Sequence, residues 1–323
     1  MVLEDITTES NSEPIETLNT KVPFVNQIKK NKKYVITGII GLIVIIIGLL
    51  VVFGSPSAAT VFKDMNEKML GTKSVTIDQK LTMISAESGS AEISSKLFVN
   101  MKSSTELLAK GSFTLNIANA SSPMTISGDV IKVGDSSFVK YSEISSSDAT
   151  ISSSFTTIES KLKNNWIKVR DNDQFAAMAS TPISSTVNIL PTPFANLTDA
   201  QRKNMLTMLS DDSFYTIEES SKVDTAGVTA YKYLLTYDKD QYKKMAKALS
   251  GYVSYFKSDD SSDSEITSMT VWVNINTKQI IKIEYKGTTS SGDVTGTITF
   301  SGYNQDKAVD KPSDYSIESE LLN

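Results

Sequence analysis

The chain has 323 residues, 40% of them apolar, and a formal net charge of −5, enough for one or two domains with a sizeable core and no electrostatic reason to bind nucleic acid. It has neither Cys nor His. Disulfides, thiolate catalysis, Cys-ligated zinc, an acyl-cysteine anchor and the His-dependent triads are therefore excluded. Only Asp, Glu, Lys and Tyr remain for catalysis, and no pattern of them singles out a catalytic residue, a metal ligand or a cofactor site.

Residues 1–33 read as a disordered cytoplasmic tail, Ser/Thr/Asn-rich near its start, in which Glu4, Asp5, Glu9, Glu13 and Glu16 balance Lys21, Lys29, Lys30, Lys32 and Lys33. Tyr34 to Phe53 is uncharged and apolar on every face. Its length of about 20 residues matches a transmembrane helix across a hydrocarbon core of about 30 Å. The Lys cluster abuts the N-terminal end of this span, while the far side first meets Lys63 beside Asp64. The positive-inside rule therefore predicts an N-terminus in the cytoplasm and a C-terminal domain outside the plasma membrane. A cleaved signal peptide is the alternative, because Ser57-Ala58-Ala59 resembles a small-residue cleavage site.

Residues 54–60, with Gly54 and Pro56, read as a linker. Val61, Phe62, Met65, Met69 and Leu70 then recur at helical spacing, and Gly71 stops the helix. From Ser74 the period becomes two. Val75, Ile77, Leu81 and Met83 start an alternation that continues through Ile93, Leu97, Val99 and Met101, then Leu107, Ala109, Phe113, Leu115 and Ile117, then Met124, Ile126 and Val130, and then Phe138 to Tyr141. Successive half-buried strands joined by short polar turns predict an antiparallel meander. Gly111 and Gly128 fall inside strand patterns and are expected to mark bends.

Ser145 to Ser154 reads as a Ser-rich loop, and Trp166 to Val169 as a short strand. Ile183 to Leu197 is a Pro-bracketed and unusually apolar loop carrying Ile189, Leu190 and Phe194. It is either a loop packed on the core or a lid over an opening. Thr198 starts a helix with Met205, Leu206 and Leu209 on one side. Phe214 to Val223 and Val228 to Tyr237 form a hairpin, and Asp238 caps a helix whose Tyr242, Met245, Leu249, Val253 and Phe256 share a face. The acidic stretch Asp259, Asp260, Asp263 and Glu265 lacks the spacing of a calcium loop and reads as solvated. Strands through Met269 to Ile275, Ile281 to Tyr285 and Val294 to Phe300 close the sheet.

The segment Thr270 to Ile275, its tight turn, Ile280 to Tyr285, Gly296 to Asn304 and Lys311-Pro312 resembles the C-terminal end of the LolA-like proteins, especially their LppX/LprAFG branch. The unit Tyr231 to Leu249 is similar to that branch as well, and helix-then-meander at Val61 to Ile117 suits the same fold. The resemblance implies an α+β domain over residues 61–317: a strongly curved antiparallel half-barrel sheet with helices on its concave side and an apolar cavity for acyl chains between them. Residues 318–323 would be a C-terminal tail.

On that reading Val75, Ile77, Leu81, Leu97, Val99, Phe113, Leu115, Ile117, Met124 and Ile126 are cavity candidates, and Ile189, Leu190 and Phe194 lid candidates. The expected partners are a membrane lipid or other acyl-chain ligand and the plasma membrane; protein partners are not readable. The leading function is a tethered extracytoplasmic lipid-binding domain, not an enzyme. The alternative is an exported sensory or structural domain with a packed core and no ligand. A permanently tethered domain cannot diffuse across an envelope, so holding, presenting or sensing a lipid fits better than shuttling one.

Overall fold

In a computed structural model of the protein, the described residues are 56–85, 89–101, 106–118, 123–148, 162–169, 196–211, 214–253, 265–289 and 292–317. The N-terminal tail, the segment 34–53 read as a membrane span, the lid candidates Ile189, Leu190 and Phe194, the helix residue Phe256 and the 318–323 tail lie outside them. Among the described residues no helix is long and apolar enough to cross a membrane.

Helix α1 spans Ala58–Leu70. It begins inside the segment read as linker, because Ser57 caps it: the Ser57 side chain accepts from the Thr60 backbone N–H at 3.1 Å. Five strands follow as a meander, β1 Ser74–Ser85, β2 Gly89–Met101, β3 Leu107–Ala118, β4 Met124–Val133 and β5 Ser136–Ser146. The stretch read as a Ser-rich loop thus begins as the end of β5, where Ser145 and Ser146 pair with Thr125 and Met124. Ladder hydrogen bonds outweigh the low β preference of Ser at a sheet position. The short β6 is Ile167–Val169.

Helix α2, Asp199–Leu209, starts with a full capping box between Thr198 and Gln201. The hairpin β7 Tyr215–Thr225 and β8 Val228–Tyr237 leads into helix α3, Lys239–Tyr252, capped by the Asp238 carboxylate accepting from the Gln241 N–H at 2.8 Å. Strands β9 Glu265–Asn274, β10 Ile280–Thr289 and β11 Gly292–Ser301 follow, then the two-residue β12, Ser316–Ile317.

All twelve strands form one unclosed sheet in the order β12-β6-β5-β4-β3-β2-β1-β11-β10-β9-β8-β7. Each adjacent pair is antiparallel except β12 with β6. Two meanders, β1 to β6 and β7 to β11, join at the centre where β1 pairs with β11. The expected bend at Gly128 is a β-bulge: the register against β5 shifts between Ser127 and Gly128. At Gly111 the reason is close approach, since a Cβ there would lie 1.9 Å from the Lys96 carbonyl oxygen.

The inner face carries the main core. Val61, Phe62, Met65 and Met69 of α1 pack with side chains that run from Tyr233 and Leu235 on β8 across the sheet to Ile167 and Val169 on β6. A second cluster joins Leu70 of α1 to Met205 and Leu209 of α2, Phe214, and Met245 and Leu249 of α3. Helix α1 is therefore the middle of three layers, with the sheet on one side and α2 and α3 on the other.

The outer face holds a smaller cluster of Phe98, Leu108, Ile131, Phe138 and Val309. Val309 belongs to the segment after β11, which crosses this face as a strap. Asn304 donates its N–H to the Ser74 carbonyl at 2.8 Å, Lys307 Nζ lies 5.2 Å from the Phe98 ring centroid, and the Tyr315 ring meets Phe138 edge-on at 5.0 Å. The Ser316 N–H then donates to the Trp166 carbonyl at 2.9 Å, so β12 closes the sheet edge beside β6.

Candidate functional site

Period-two alternation predicts which side chains share a face, and strand register settles it. Val75 opposes Val99, Ile77 opposes Leu97, and Leu81 opposes Ile93. Leu115 opposes Ile126, and Ile117 opposes Met124. Phe113 opposes Ser95. All ten cavity candidates thus lie on the inner face, and all but Ile117 belong to the main core or pack against it.

They are not equivalent along the strands. At the α1 end, Val75, Ile77, Leu97 and Val99 are fully buried together with Val61, Met65 and Met69. That end is packed: α1 covers it and leaves its side chains no contact with solvent. At the opposite end closure is partial. Leu115, Ile117, Met124, Ile266 and Val294 are half-buried, and Met83 is 37% exposed. Leu81, Phe113 and Ile126 lie between, buried. The candidates therefore divide into a packed floor beneath α1 and a half-open apolar end.

Three polar side chains interrupt the inner face at the boundary between these regions. Gln79 and Ser95 oppose each other across β1 and β2 and are both buried. Tyr285 on β10 opposes Gly296 on β11, which in turn opposes Leu81 on β1. The missing side chain at Gly296 makes room for the Tyr285 ring, which lies over it; a Cβ there would be 2.2 Å from Tyr285 Cζ. Burial pushes the Tyr285 phenol well up from its ordinary value of 10.0, so the hydroxyl remains a donor across the neutral range. Among the described residues the Ser95 Oγ and the Tyr285 hydroxyl have no hydrogen-bond partner.

Two other tyrosines fix the start of the domain to this face. Tyr233 donates its hydroxyl to the Ala58 carbonyl at 2.7 Å, and Tyr231 donates to the Pro56 carbonyl at 3.2 Å. The Tyr233 ring also meets Phe62 at 5.1 Å.

Two polar grooves are also present, the second of them bordered by Tyr285 and Gly296. One of about 540 Å³ is lined by Lys73, Ser74, Asn100, Asn304 and Gln305 at the α1 end of β1. The other, about 270 Å³, lies among Lys80, Thr270, Glu284, Lys286 and Thr297. Among the described residues no three acidic side chains converge as a metal site.

The alternation foretold the inner face, but it missed Ser95 and Tyr285 as site residues and missed the outer strap. A signal for the strap is present in the sequence. Leu97-Phe98-Val99, Leu107-Leu108-Ala109, Val130-Ile131 and Phe138-Val139 break alternation with consecutive apolar residues, the mark of strands buried on both faces.

No protein-family model matches the chain, and no curated protein matches it. Solved structures do. LprF from Mycobacterium bovis is similar at 12% identity and a TM-score of 0.43, over 80% of this chain and 99% of that one. A LolA superfamily protein from Nitrosomonas europaea is similar at 10% identity and a TM-score of 0.25, over 80% of this chain and 99% of that one.

Proposed function

We propose that this chain is a membrane-tethered, extracytoplasmic domain that holds acyl chains against the inner face of its sheet. The observation that carries the reading is the unequal closure of that face. An apolar surface continuous from β8 to β6 is sealed by α1 at one end and left half-covered at Leu115, Ile117, Met124, Ile266 and Val294 at the other. Apolar area that the fold leaves near water is area a hydrocarbon ligand can bury, at about 25 cal/mol per Å². Tethering rests on the uncharged span 34–53 and the Lys cluster before it. The lack of His and Cys in the sequence removes the commonest catalytic side chains and favours binding over catalysis.

The test is organic extraction of the full-length protein purified from its native membrane, followed by mass spectrometry. Acyl lipid close to one equivalent per chain is the expected result. Repeated lipid-free preparations would overturn the reading. They would favour a sensory or structural domain with a packed core, for which the complete burial of Val75, Ile77, Leu97 and Val99 under α1 is the favouring observation.

A further inference from the structure

We infer that the acyl ligand is held by its carbonyl oxygens as well as its chains, with Ser95 and Tyr285 as the donors; this rests on the acyl-holding reading above. Native interiors pair nearly all buried polar atoms, because an unpaired hydroxyl costs its lost hydration without return. The described part of the fold leaves two such hydroxyls on one apolar face. Ser95 is 5% exposed and Tyr285 is 2% exposed, and neither hydroxyl has a partner.

Nothing about the fold requires polar groups there. Ser95 sits in a row with Phe113 across one strand boundary, and its neighbours along the inner face of β2 are Ile93 and Leu97. An Ala or Val would pack equally well. Tyr285 occupies space that Gly296 leaves open, and a Phe would fill it with the same ring.

Their placement fits a ligand entering from the half-open end. Ser95 lies on β2 and Tyr285 on β10, with Gln79 and Leu81 of β1 and Gly296 and Ile298 of β11 between them. By strand spacing their backbones are roughly 14 Å apart across the sheet, and the Tyr285 ring shortens the gap between the hydroxyls by reaching back over Gly296 on β11. Counted along the inner face from Ala91, Met83 and Val294 in the half-covered region, Tyr285 stands one row deeper and Ser95 two. A free hydrocarbon has no acceptor for these donors, and an ether-linked chain has no carbonyl oxygen to offer them. An ester-linked lipid carries carbonyl oxygens that accept from both hydroxyls. The chemical class is therefore an acyl ester with more than one carbonyl, rather than an ether lipid or a plain hydrocarbon.

The test compares two probes that differ only in those carbonyls: a radiolabelled diacylglycerol and the dialkyl-ether glycerol of the same chain length. Each is offered in identical detergent micelles to the full-length protein, its Ser95→Ala and Tyr285→Phe variants, and the double variant. Wild type should prefer the ester. Each single substitution should lower ester affinity about five- to tenfold, the worth of one neutral hydrogen bond, and leave ether affinity unchanged. The double variant should bind both probes alike. Both substitutions delete an unpartnered hydroxyl without changing the packed shape, so folding should hold or improve, and a melt of each lipid-free variant checks this. Equal binding of ester and ether by wild type, or a preference that survives in the double variant, overturns the carbonyl inference while the acyl-holding reading stands. Failure of both probes to bind overturns the two together.

Discussion

At the scale of single residues, the inner face offers a test that separates a cavity from a core. Leu115 shares its face with Phe113 and Ile117 and is only half-buried, opposite Ile126. In a close-packed interior, Leu115→Trp would force extra volume among fixed neighbours and cost about 1–3 kcal/mol. At a half-open position that an acyl chain fills, the indole takes the ligand's place instead. Denaturant melts of the lipid-free variant should therefore match wild type closely, while extracted lipid falls. A large stability loss with lipid content unchanged would place Leu115 in the core.

The buried phenols give a pH dependence with a definite sign. Burial pushes Tyr285 and Tyr303 up from the ordinary 10.0, and burial followed by the neighbouring Tyr231 does the same for Tyr233. Above pH 10 the unfolded chain loses these protons and the folded one keeps them, so the unfolded state is favoured as pH rises. Stability should be fully present below about pH 10 and decline above it. Melts from pH 8 to 11 should show that decline, and Tyr285→Phe should make it shallower.

Among the elements, α1 explains a feature that the sequence leaves ambiguous. Ser57, Ala58 and Ala59 have the look of a cleavage site, yet Ser57 and Ala58 each have a place in the fold. Ser57 caps the helix, and the carbonyls of Pro56 and Ala58 accept from Tyr231 and Tyr233. Small residues fit where the helix start lies against aromatic rings, so their presence has a structural cause independent of a processing enzyme. Cleavage after Ala59 would remove the cap and both tyrosine contacts. Helix α2 presents a simpler case. Thr198 accepts from the Gln201 N–H, and the Gln201 side chain accepts from the Thr198 N–H at 2.9 Å. Thr198→Ala removes the cap acceptor and should lower stability by about 1 kcal/mol, read from the midpoint of a urea melt at unchanged slope.

For the whole molecule, sheet order governs how the pieces support one another. The first and eleventh strands pair at the centre, so neither meander completes its face alone. The strap from Tyr303 to Ser316 then ties the centre of the sheet to its β6 edge along the outer side. A domain closed in this way is expected to survive outside the membrane as a unit. If the Lys cluster sets the orientation, protease added to intact spheroplasts should digest the domain's exposed loops and leave residues 1–33 protected. Digestion of the tail with the domain protected would reverse the topology.

Local chemistry was enough to locate most elements. Alternation from Val75 to Val130 gave the meander and the shared face of all ten candidates, because a strand's side-chain period of two needs no partner to be read. Thr198 and Asp238 announced their helices, because a cap acts within one turn. Gly128 was legible as an irregularity but not as a bulge, since a bulge is a property of two strands. Other features depended on residues far apart in the chain. The pairing of β1 with β11, the seat of Tyr285 over Gly296, and the strap over Phe98 and Phe138 all join segments that no local pattern connects. The division of the apolar face into a packed end and a half-open end was likewise decided by where α1 lies across it. An apolar side chain carries the same hydrophobic signal whether a helix or a ligand is to cover it, so only the tertiary structure could tell Val75 from Leu115.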